Sequence, residues 1–307
     1  MRDGAGTPDD AASGIQQNPD HERRINPMMT FAKALLLGLI QGLTEFLPIS
    51  STAHLTIAGR VLGLIDPAKP EDWTAFIAII QLGTVAAVIM YFFRDLAEMA
   101  HSVYSDVRKN DHSERWSDQS RMAGQIIIGT LPVGIIGLTL KKIIEGNLNK
   151  SLILIGSSLI VLALILLWGE KAGRRSRGER SATWKDALIV GVAQAFALIP
   201  GSSRSGTTIT AGLFLGFTRE TAARFSFLLS IPAVIASGVF EVYRARHEMS
   251  GIGIASLVLS TVAAGIAGYS TIAFLLKYLR THSTFIFIWY RIGLGAVLWW
   301  VVGMNLL

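Results

Sequence analysis

Long apolar segments alternate with short polar connections along most of the chain. Six segments approach or exceed the length of about 20 residues that a membrane-spanning helix needs. These are 73–93, 123–142, 151–168, 222–242, 252–276 and 284–306. Four shorter segments form two pairs, 31–47 with 50–63 and 186–199 with 205–217. Transmembrane β-strands would instead alternate over roughly ten residues. The pattern therefore predicts an all-α integral membrane protein.

Each pair of short segments is divided by a proline that is followed by small hydroxyl residues. The first break is Pro48–Ser51 (PISS) and the second is Pro200–Ser203 (PGSS). Proline interrupts a helix because it lacks an N–H group and clashes with the preceding turn. Irregular backbone at membrane depth is tolerated only inside protein or beside a water-filled cavity. We therefore predict two re-entrant helical hairpins.

The two pairs also resemble each other in sequence. Gly38–Gln41 (GLIQ) is echoed by Gly191–Gln194 (GVAQ). Leu47–Ser51 (LPISS) is echoed by Ile199–Ser203 (IPGSS), with a shift of one residue between the two matches. This is an internal repeat of about 152 residues.

Each copy of the repeat holds one hairpin and three spans. Because three is odd, the second copy enters the membrane from the opposite side, which gives an inverted-topology repeat whose breaks meet near the midplane. We predict a single membrane domain over 28–307, with repeat one at 31–168 and repeat two at 186–306.

Composition supports this class of protein. Of the 307 residues 51% are hydrophobic and 16% are charged, and the mean hydropathy is +0.46; a soluble domain carries about 25% charged residues. Residues 1–27 are polar, and we predict that they form a disordered extension. The chain has no cysteine, which excludes disulfides, a thiol nucleophile and a cysteine-based metal site.

The net charge of +6 would suit nucleic acid in a soluble protein. Here the basic residues lie between apolar segments, so they indicate orientation in the membrane rather than nucleic-acid binding. Counting Lys and Arg gives 15 on the side opposite the N-terminus and 11 on the N-terminal side. The positive-inside rule then places both termini outside.

The first break carries the residues that are best suited to covalent chemistry. Glu45 is a carboxylate within an apolar segment, which costs about 2.5–3.5 kcal/mol on insertion scales and needs a metal, an arginine or a proton to offset it. Gln41 lies four residues earlier, on the same helical face. Ser51 and His54 become neighbours if the residues after the break are helical, and an imidazole can then activate the hydroxyl. Ser50 and Thr52 add further hydroxyls, although such residues also cap helices.

The second break suits an anion. It is a short loop that opens a helix, where free N–H groups and the helix dipole favour negative charge. Arg204 supplies a fork of donors that matches phosphate oxygens. The other candidate phosphate-binding residues are Gly201, Ser203, Ser205, Thr207 and Thr208. The alternative is a buried Arg204–Glu45 ion pair that holds the two hairpins together.

Three other polar residues are less decisive. Gln81 and Arg291 fall within predicted spans, where each could line a cavity or brace helices. His101 is assigned to a predicted loop.

The two motifs resemble those of the undecaprenyl-pyrophosphate phosphatase family, also known as bacitracin-resistance proteins. The stretch Gln41–His54 fits the first family signature, and Pro200–Thr208 fits the second. The similarity covers about 31–307. Two features depart from the family: an acidic position is Gln41 here, and Ile77 follows Phe76 where a glutamate is frequent.

The resemblance implies hydrolysis of undecaprenyl pyrophosphate to the monophosphate at the outer face of the bacterial cytoplasmic membrane. It also implies a role in recycling the peptidoglycan lipid carrier, bacitracin resistance, and a divalent metal, Mg²⁺ or Ca²⁺, with Glu45 and Gln41 as candidate ligands. We also predict a homodimer. We expect Arg204 to clamp the β-phosphate, Ser51 to attack, His54 to act as base, and Glu45 to orient the metal or His54.

Alternatives remain at each level. His54 or a water molecule could be the nucleophile in place of Ser51. A transporter or flippase for polyprenyl phosphate or another anion would also use an inverted repeat with broken helices.

Overall fold

A computed structural model describes residues 29–66, 70–109, 116–139, 151–245 and 253–304. Within these ranges the chain forms eleven α-helices, two short 3-10 turns and one isolated β-bridge. The helices are α1 Phe31–Glu45, α2 Ser51–Val61, α3 Pro70–Tyr91, α4 Phe93–Arg108, α5 Asp118–Thr139, α6 Leu152–Ala172, α7 Trp184–Ala195, α8 Arg204–Phe214, α9 Arg219–Ala245, α10 Ile254–Leu279 and α11 Phe285–Gly303.

Six of these helices are long and apolar enough to cross a membrane, which confirms the predicted spans within a few residues. They are α3, α5, α6, α9, α10 and α11. A helix satisfies its own backbone hydrogen bonds, and this is why long apolar segments take that form where water is absent.

The two predicted pairs of short helices are also present. α1 ends at Glu45 and α2 begins at Ser51, while α7 ends at Ala195 and α8 begins at Arg204. The N-cap residues of α2 and α8 adopt nearly the same unusual backbone conformation, with φ 75° and ψ 97° at Ser50 and φ 66° and ψ 108° at Ser203. Each N-cap hydroxyl accepts a hydrogen bond from the backbone N–H three residues on.

Glycines bring the first helix of each pair close to a spanning helix. A Cβ at Gly42 would lie 2.5 Å from the carbonyl oxygen of Ala264 in α10. A Cβ at Gly191 would collide with the backbone of Gly129 in α5. Such close backbone approach through small residues is the usual packing of helices in membranes, where lipid supplies no hydrophobic drive for association.

The helix α4 departs from the sequence-based interpretation, which placed His101 in a loop. His101 is exposed but lies in the middle of this helix. Met99 is buried in the main core beside Leu96, so helical periodicity buries one side of the segment. The predicted extension at 1–27 lies outside the described residues, as does the end of the predicted span 123–142, from residue 140 onward.

Candidate active site

The centre of the site is the carboxylate of Glu45, the last residue of α1. Ser51 Oγ, at the start of α2, donates a 2.6 Å hydrogen bond to Glu45 Oε2. Gln41 Nε2 donates to the same oxygen at 2.9 Å. Ser51 lies six positions after Glu45, and residues at that spacing are not neighbours on a continuous helix. The break at Pro48 therefore creates this contact by folding α2 back towards the end of α1.

The second break supplies the charge that balances this carboxylate. Arg204, the first residue of α8, donates through Nη2 to Glu45 Oε1 at 2.8 Å, and the two side chains are 13% and 4% exposed. The ion pair considered in the sequence analysis is therefore present. Breaking a buried pair of this kind costs about 3–5 kcal/mol because it leaves one charge uncompensated.

Serines and threonines of the second break mainly fix its backbone. Ser205 Oγ donates to Leu47 O in the first break at 3.0 Å. The hydroxyls of Thr207 and Thr208 both donate to Arg204 O, at 3.0 and 2.7 Å. These three predicted phosphate-binding residues thus have internal partners, and they hold the loop that presents Arg204.

A cavity of about 530 Å³ opens beside the Glu45–Arg204 pair. From the predicted site it is lined by Glu45, Ser50, Ser51, Thr52, Gly201, Ser203 and Arg204. Residues of α3, α5 and α9 form its walls, including Gln81, Val133, Gly134 and Phe240. The cavity therefore has a polar end at the two breaks and apolar walls between spanning helices, which suits a molecule with a charged head and an apolar tail.

His54 lies next to this centre but is engaged elsewhere. Its Nδ1 is 2.7 Å from Ser50 O, and its Nε2 is 2.6 Å from Tyr290 Oη. Because a carbonyl oxygen only accepts, Nδ1 carries the proton, and Nε2 of the neutral ring accepts from the Tyr290 hydroxyl. Both ring nitrogens are occupied, whereas the Ser51 hydroxyl is held by Glu45.

Arg291 braces the two breaks. Its side chain is fully buried, and Nη2 donates to Ser202 O at 2.9 Å while Nη1 lies 3.5 Å from Pro48 O. Of the two roles considered for this arginine, the structure shows the brace. Gln81 instead lines the cavity.

One cavity residue was missed as a site candidate. Gln194, near the end of α7, is 1% exposed and lines the cavity. Neither atom of its carboxamide has a hydrogen-bond partner among the described residues. The internal repeat contained the signal, because Gln194 is the counterpart of Gln41.

Few side chains at the site could act as ligands for a divalent metal. Within the described ranges no three His, Asp or Glu side chains cluster as potential metal ligands. Glu45 is the single carboxylate among the described residues that line the cavity. Its oxygens are already bound by Arg204, Ser51 and Gln41. These residues do not by themselves fit a protein-held divalent cation.

Six spanning-length helices and a buried serine–carboxylate–arginine centre beside an amphipathic cavity define the class, a multi-pass membrane protein with an internal polar site. The family model described as "Bacitracin resistance protein BacA" matches residues 34–297. The chain belongs to this family, as the two sequence motifs predicted.

Curated relatives align with this chain over nearly their whole length. A protein of Syntrophobacter fumaroxidans named "Undecaprenyl-diphosphatase" is 53% identical over 279 residues, covering 89% of this chain and 98% of the relative. A protein of Chloroherpeton thalassium with the same name is 50% identical, with 90% and 98% coverage. One of Myxococcus xanthus, also so named, is 48% identical, with 88% of each chain covered.

Proposed function

We propose that this protein is an undecaprenyl-diphosphatase, which hydrolyses undecaprenyl pyrophosphate to undecaprenyl phosphate and inorganic phosphate. The observation that carries the proposal is the bonding of Glu45 to both Ser51 and Arg204 at the polar end of an apolar-walled cavity. The relatives' name supports the substrate. The activity returns the lipid carrier to peptidoglycan synthesis and confers bacitracin resistance by removing the drug's target.

Two unpartnered donors make the polar end suitable for a pyrophosphate. Arg204 Nη1 and Gln194 Nε2 are buried without a hydrogen-bond partner among the described residues. A buried donor without a partner costs about 1–3 kcal/mol, which a ligand oxygen recovers. Arg204 can therefore bind phosphate through Nη1 while Nη2 stays on Glu45. The Gly201 backbone, with φ 83° in the loop, lines the same end.

The lipid tail then lies between spanning helices. Val133 and Leu138 of α5 and Val234 and Phe240 of α9 give this part of the cavity its apolar surface. A Cβ at Gly134 would meet no atom within 4 Å, so α5 leaves open space there. The first isoprenoid units fit this part of the cavity by their apolar character.

The chemistry we propose uses Ser51 as nucleophile. Ser51 Oγ forms a bond to the terminal phosphorus, the bond from that phosphorus to the bridging oxygen breaks, and undecaprenyl phosphate leaves. The Ser51 proton passes to Glu45 Oε2, which already accepts it in a 2.6 Å hydrogen bond. Glu45 then releases that proton to solvent and takes one from a water molecule that attacks the phosphoserine. The bond from phosphorus to Ser51 Oγ breaks, Glu45 returns the proton to Oγ, and inorganic phosphate leaves. Arg204 stabilises the charge on the transferred group.

This assignment moves the role of base from His54 to Glu45, since both nitrogens of His54 have other partners. We propose that His54 positions the Ser50 carbonyl and hence the start of α2. Attack by His54 or by water directly remains the alternative, and the trapped covalent intermediate separates these cases. Phosphoserine is stable in acid, whereas phosphohistidine is labile in acid, and direct attack by water traps no phosphoenzyme.

A divalent cation, Mg²⁺ or Ca²⁺, stays part of the proposal on family grounds. Because Glu45 and Gln41 do not fit a protein-held site, we propose that the ion enters bound to pyrophosphate oxygens, as Mg²⁺ commonly does with substrate phosphates. There it would neutralise negative charge on the substrate. Titration of activity with EDTA and back-titration with each ion tests this.

The architecture we propose is an inverted repeat with two re-entrant hairpins, α1–α2 and α7–α8, in the bacterial inner membrane. The matching N-caps at Ser50 and Ser203 and the polar contacts between the breaks support it. Both termini and the mouth of the site then face outward. Labelling of single introduced cysteines in intact cells and in inverted vesicles tests this orientation, and cross-linking in the membrane tests the predicted homodimer.

The deciding experiment is phosphate release from undecaprenyl pyrophosphate by purified protein in detergent, with Mg²⁺ present. Protein in detergent has no closed membrane across which to transport a substrate. Phosphate release under these conditions therefore requires an enzyme. We expect turnover that Ser51→Ala abolishes, with Ser105→Ala in α4 as a matched serine control that keeps it. If purified, folded protein released no phosphate with either ion, the transporter or flippase would be favoured.

A further inference from the structure

The helix α4 has an apolar side that no described part of the protein covers. Phe93, Tyr104 and Val107 are 66%, 57% and 63% exposed. Their positions, together with two exposed alanines, recur at helical spacing and so share one face. The exposed apolar face of α4 consists of Phe93, Ala97, Ala100, Tyr104 and Val107. The adjoining side of the helix packs on the core through Leu96 and Met99.

Contacts at both ends hold α4 at the membrane boundary. It begins two residues after α3 ends, so its first turn lies where that span leaves the membrane. Asp95 receives a 3.0 Å hydrogen bond from Arg224, in the second turn of α9. Asp106 accepts hydrogen bonds from Ser120 Oγ and Ser117 N, at the start of α5. A helix tied at both ends to the starts of spanning helices lies along the boundary and does not project from it.

These end contacts are strong enough to persist. The hydrogen bonds from Ser120 and Ser117 lower the pKa of the Asp106 carboxyl below its ordinary range, so it stays ionised. Arg224 also bonds Glu179 at 3.2 Å and lies over the Phe92 ring at 5.0 Å. The position of α4 is therefore fixed by the fold.

Basic residues border the exposed apolar face on one side. Arg94, His101 and Arg108 are exposed, and helical geometry places all three along one edge of that face. The Arg108 guanidinium lies 4.7 Å above the Tyr104 ring. An apolar face at a membrane surface with a cationic edge is typical of helices that lie in the interface and attract anionic headgroups.

We propose that α4 is a lipid-binding surface whose exposed apolar face inserts at the boundary between headgroups and acyl chains, while Arg94 and Arg108 bind anionic lipid headgroups. Location favours lipid over a protein partner, because the ends of three spans place this face at the depth where lipid begins. The edge charge favours anionic lipid over neutral lipid. The proposal does not depend on the catalytic assignment.

The position of α4 gives this surface a consequence for the cavity. Its neighbours α3, α5 and α9 are the helices that form the cavity walls. Lipid bound along α4 thus stabilises the ends of all three walls together. Anionic lipid should therefore raise the thermal stability of the reconstituted protein more than neutral lipid does.

The absence of cysteine from the chain makes a direct test possible. Val107→Cys and Glu98→Cys place one spin label each on opposite sides of α4, since the two positions are half a turn out of phase. In vesicles containing phosphatidylglycerol, we expect the ratio of oxygen to aqueous-nickel accessibility to be severalfold higher at position 107. Equal, water-like accessibility at both positions would overturn the proposal.

Charge is tested in the same labelled protein. The label at position 107 should move deeper when phosphatidylglycerol replaces phosphatidylcholine, and the double change Arg94→Gln with Arg108→Gln should remove that shift. Lys171→Gln with Arg174→Gln is the matched control, because both residues are exposed basic groups outside α4. A label that is immobilised or spin-coupled until the protein is diluted in lipid would show a second copy on this face and overturn lipid as its occupant.

Discussion

The two helix breaks have nearly the same backbone and different chemistry. Ser50 and Ser203 are N-caps with φ and ψ values that agree within about ten degrees. The next residue is Ser51 in one break and Arg204 in the other, and both side chains meet Glu45. One backbone design thus supplies a hydroxyl on one side of a carboxylate and a guanidinium on the other.

The N-cap geometry aligns the two breaks differently from the sequence match. Matching of the Pro-Ser-Ser letters pairs Ser51 with Ser203, whereas the caps pair Ser50 with Ser203. The cap alignment keeps the same separation in sequence as Gly38 with Gly191 and Gln41 with Gln194. In this alignment the two breaks have equal length, and only the prolines differ in position, with Pro48 two residues before its cap and Pro200 three residues before. The two breaks therefore differ in chemistry at the residue that follows the cap, Ser51 or Arg204, and not at the cap itself.

The largest difference between the breaks should appear at their serines. We expect Ser51→Ala to lower kcat by about 10⁵–10⁶-fold, as loss of a serine nucleophile does elsewhere. Ser203→Ala should cost about 1 kcal/mol of stability through its cap, with turnover within about tenfold of the parent because one neutral hydrogen bond contributes about 1 kcal/mol. Phosphate release in detergent and thermal unfolding measure the two effects. Comparable activity losses in both variants would contradict the division of roles.

A second prediction concerns Arg204, which follows the cap of the second break. Arg204→Lys keeps the charge but loses the fork of donors, and we expect kcat/KM to fall by about 10²–10³-fold. The charge retained by lysine should limit the loss of stability relative to Arg204→Ala, which leaves Glu45 uncompensated. Steady-state kinetics beside unfolding curves separate the two effects. Parent-like kinetics in the lysine variant would show that donor geometry is unimportant.

The two glutamines of the repeat should also behave differently. Gln194→Leu removes an unpartnered amide that lines the cavity, and a hydrogen bond to a charged group contributes about 1.5–3 kcal/mol. We expect kcat/KM to fall about tenfold to a hundredfold, mainly through KM. Gln125→Leu is a matched control, because Gln125 is buried in α5 and bonded to Ala182 O away from the cavity. An unchanged KM in Gln194→Leu would remove this residue from the phosphate site.

The glycines test whether both pairs of short helices need close backbone contact with a spanning helix. Gly38→Ala would bring a Cβ against Ser260 of α10, and Gly191→Ala against Gly129 of α5. Each should destabilise the detergent-solubilised protein by about 1–3 kcal/mol, the usual cost of overpacking. Gly293→Ala is the control, since a Cβ there meets nothing within 4 Å. A variant at Gly38 or Gly191 as stable as this control would show that its helix pair tolerates a wider spacing.

The smallest effect should come from the contact that has no counterpart in the second break. Tyr290→Phe removes the hydroxyl bound to His54 Nε2, which is worth about 0.5–1.5 kcal/mol. We expect kcat to fall by up to about tenfold with KM unchanged, because in our proposal His54 positions Ser50 and does not bind substrate. A rise in KM with unchanged kcat would instead point to a contact between Tyr290 and the lipid.

Much of the fold was predictable because local rules determine it. Segments of about 20 apolar residues became spanning helices, and the prolines at 48 and 200 divided the shorter ones. The helix α4 was missed because charged side chains alternate with its apolar ones, so it is not a continuous apolar segment, although its apolar residues recur at helical spacing. Its length and position became clear only from its contacts with α5 and α9.

The sequence by itself determined which side chains are available to the site and roughly where each helix begins and ends, because these follow from composition and near-neighbour sterics. The tertiary structure decided which side chains meet. Arg204 reaches Glu45 across 159 residues, and Tyr290 reaches His54 across 236. Those contacts depend on how α1, α8 and α11 pack, which no local pattern encodes. They pair the Ser51 hydroxyl with Glu45 and give both ring nitrogens of His54 other partners.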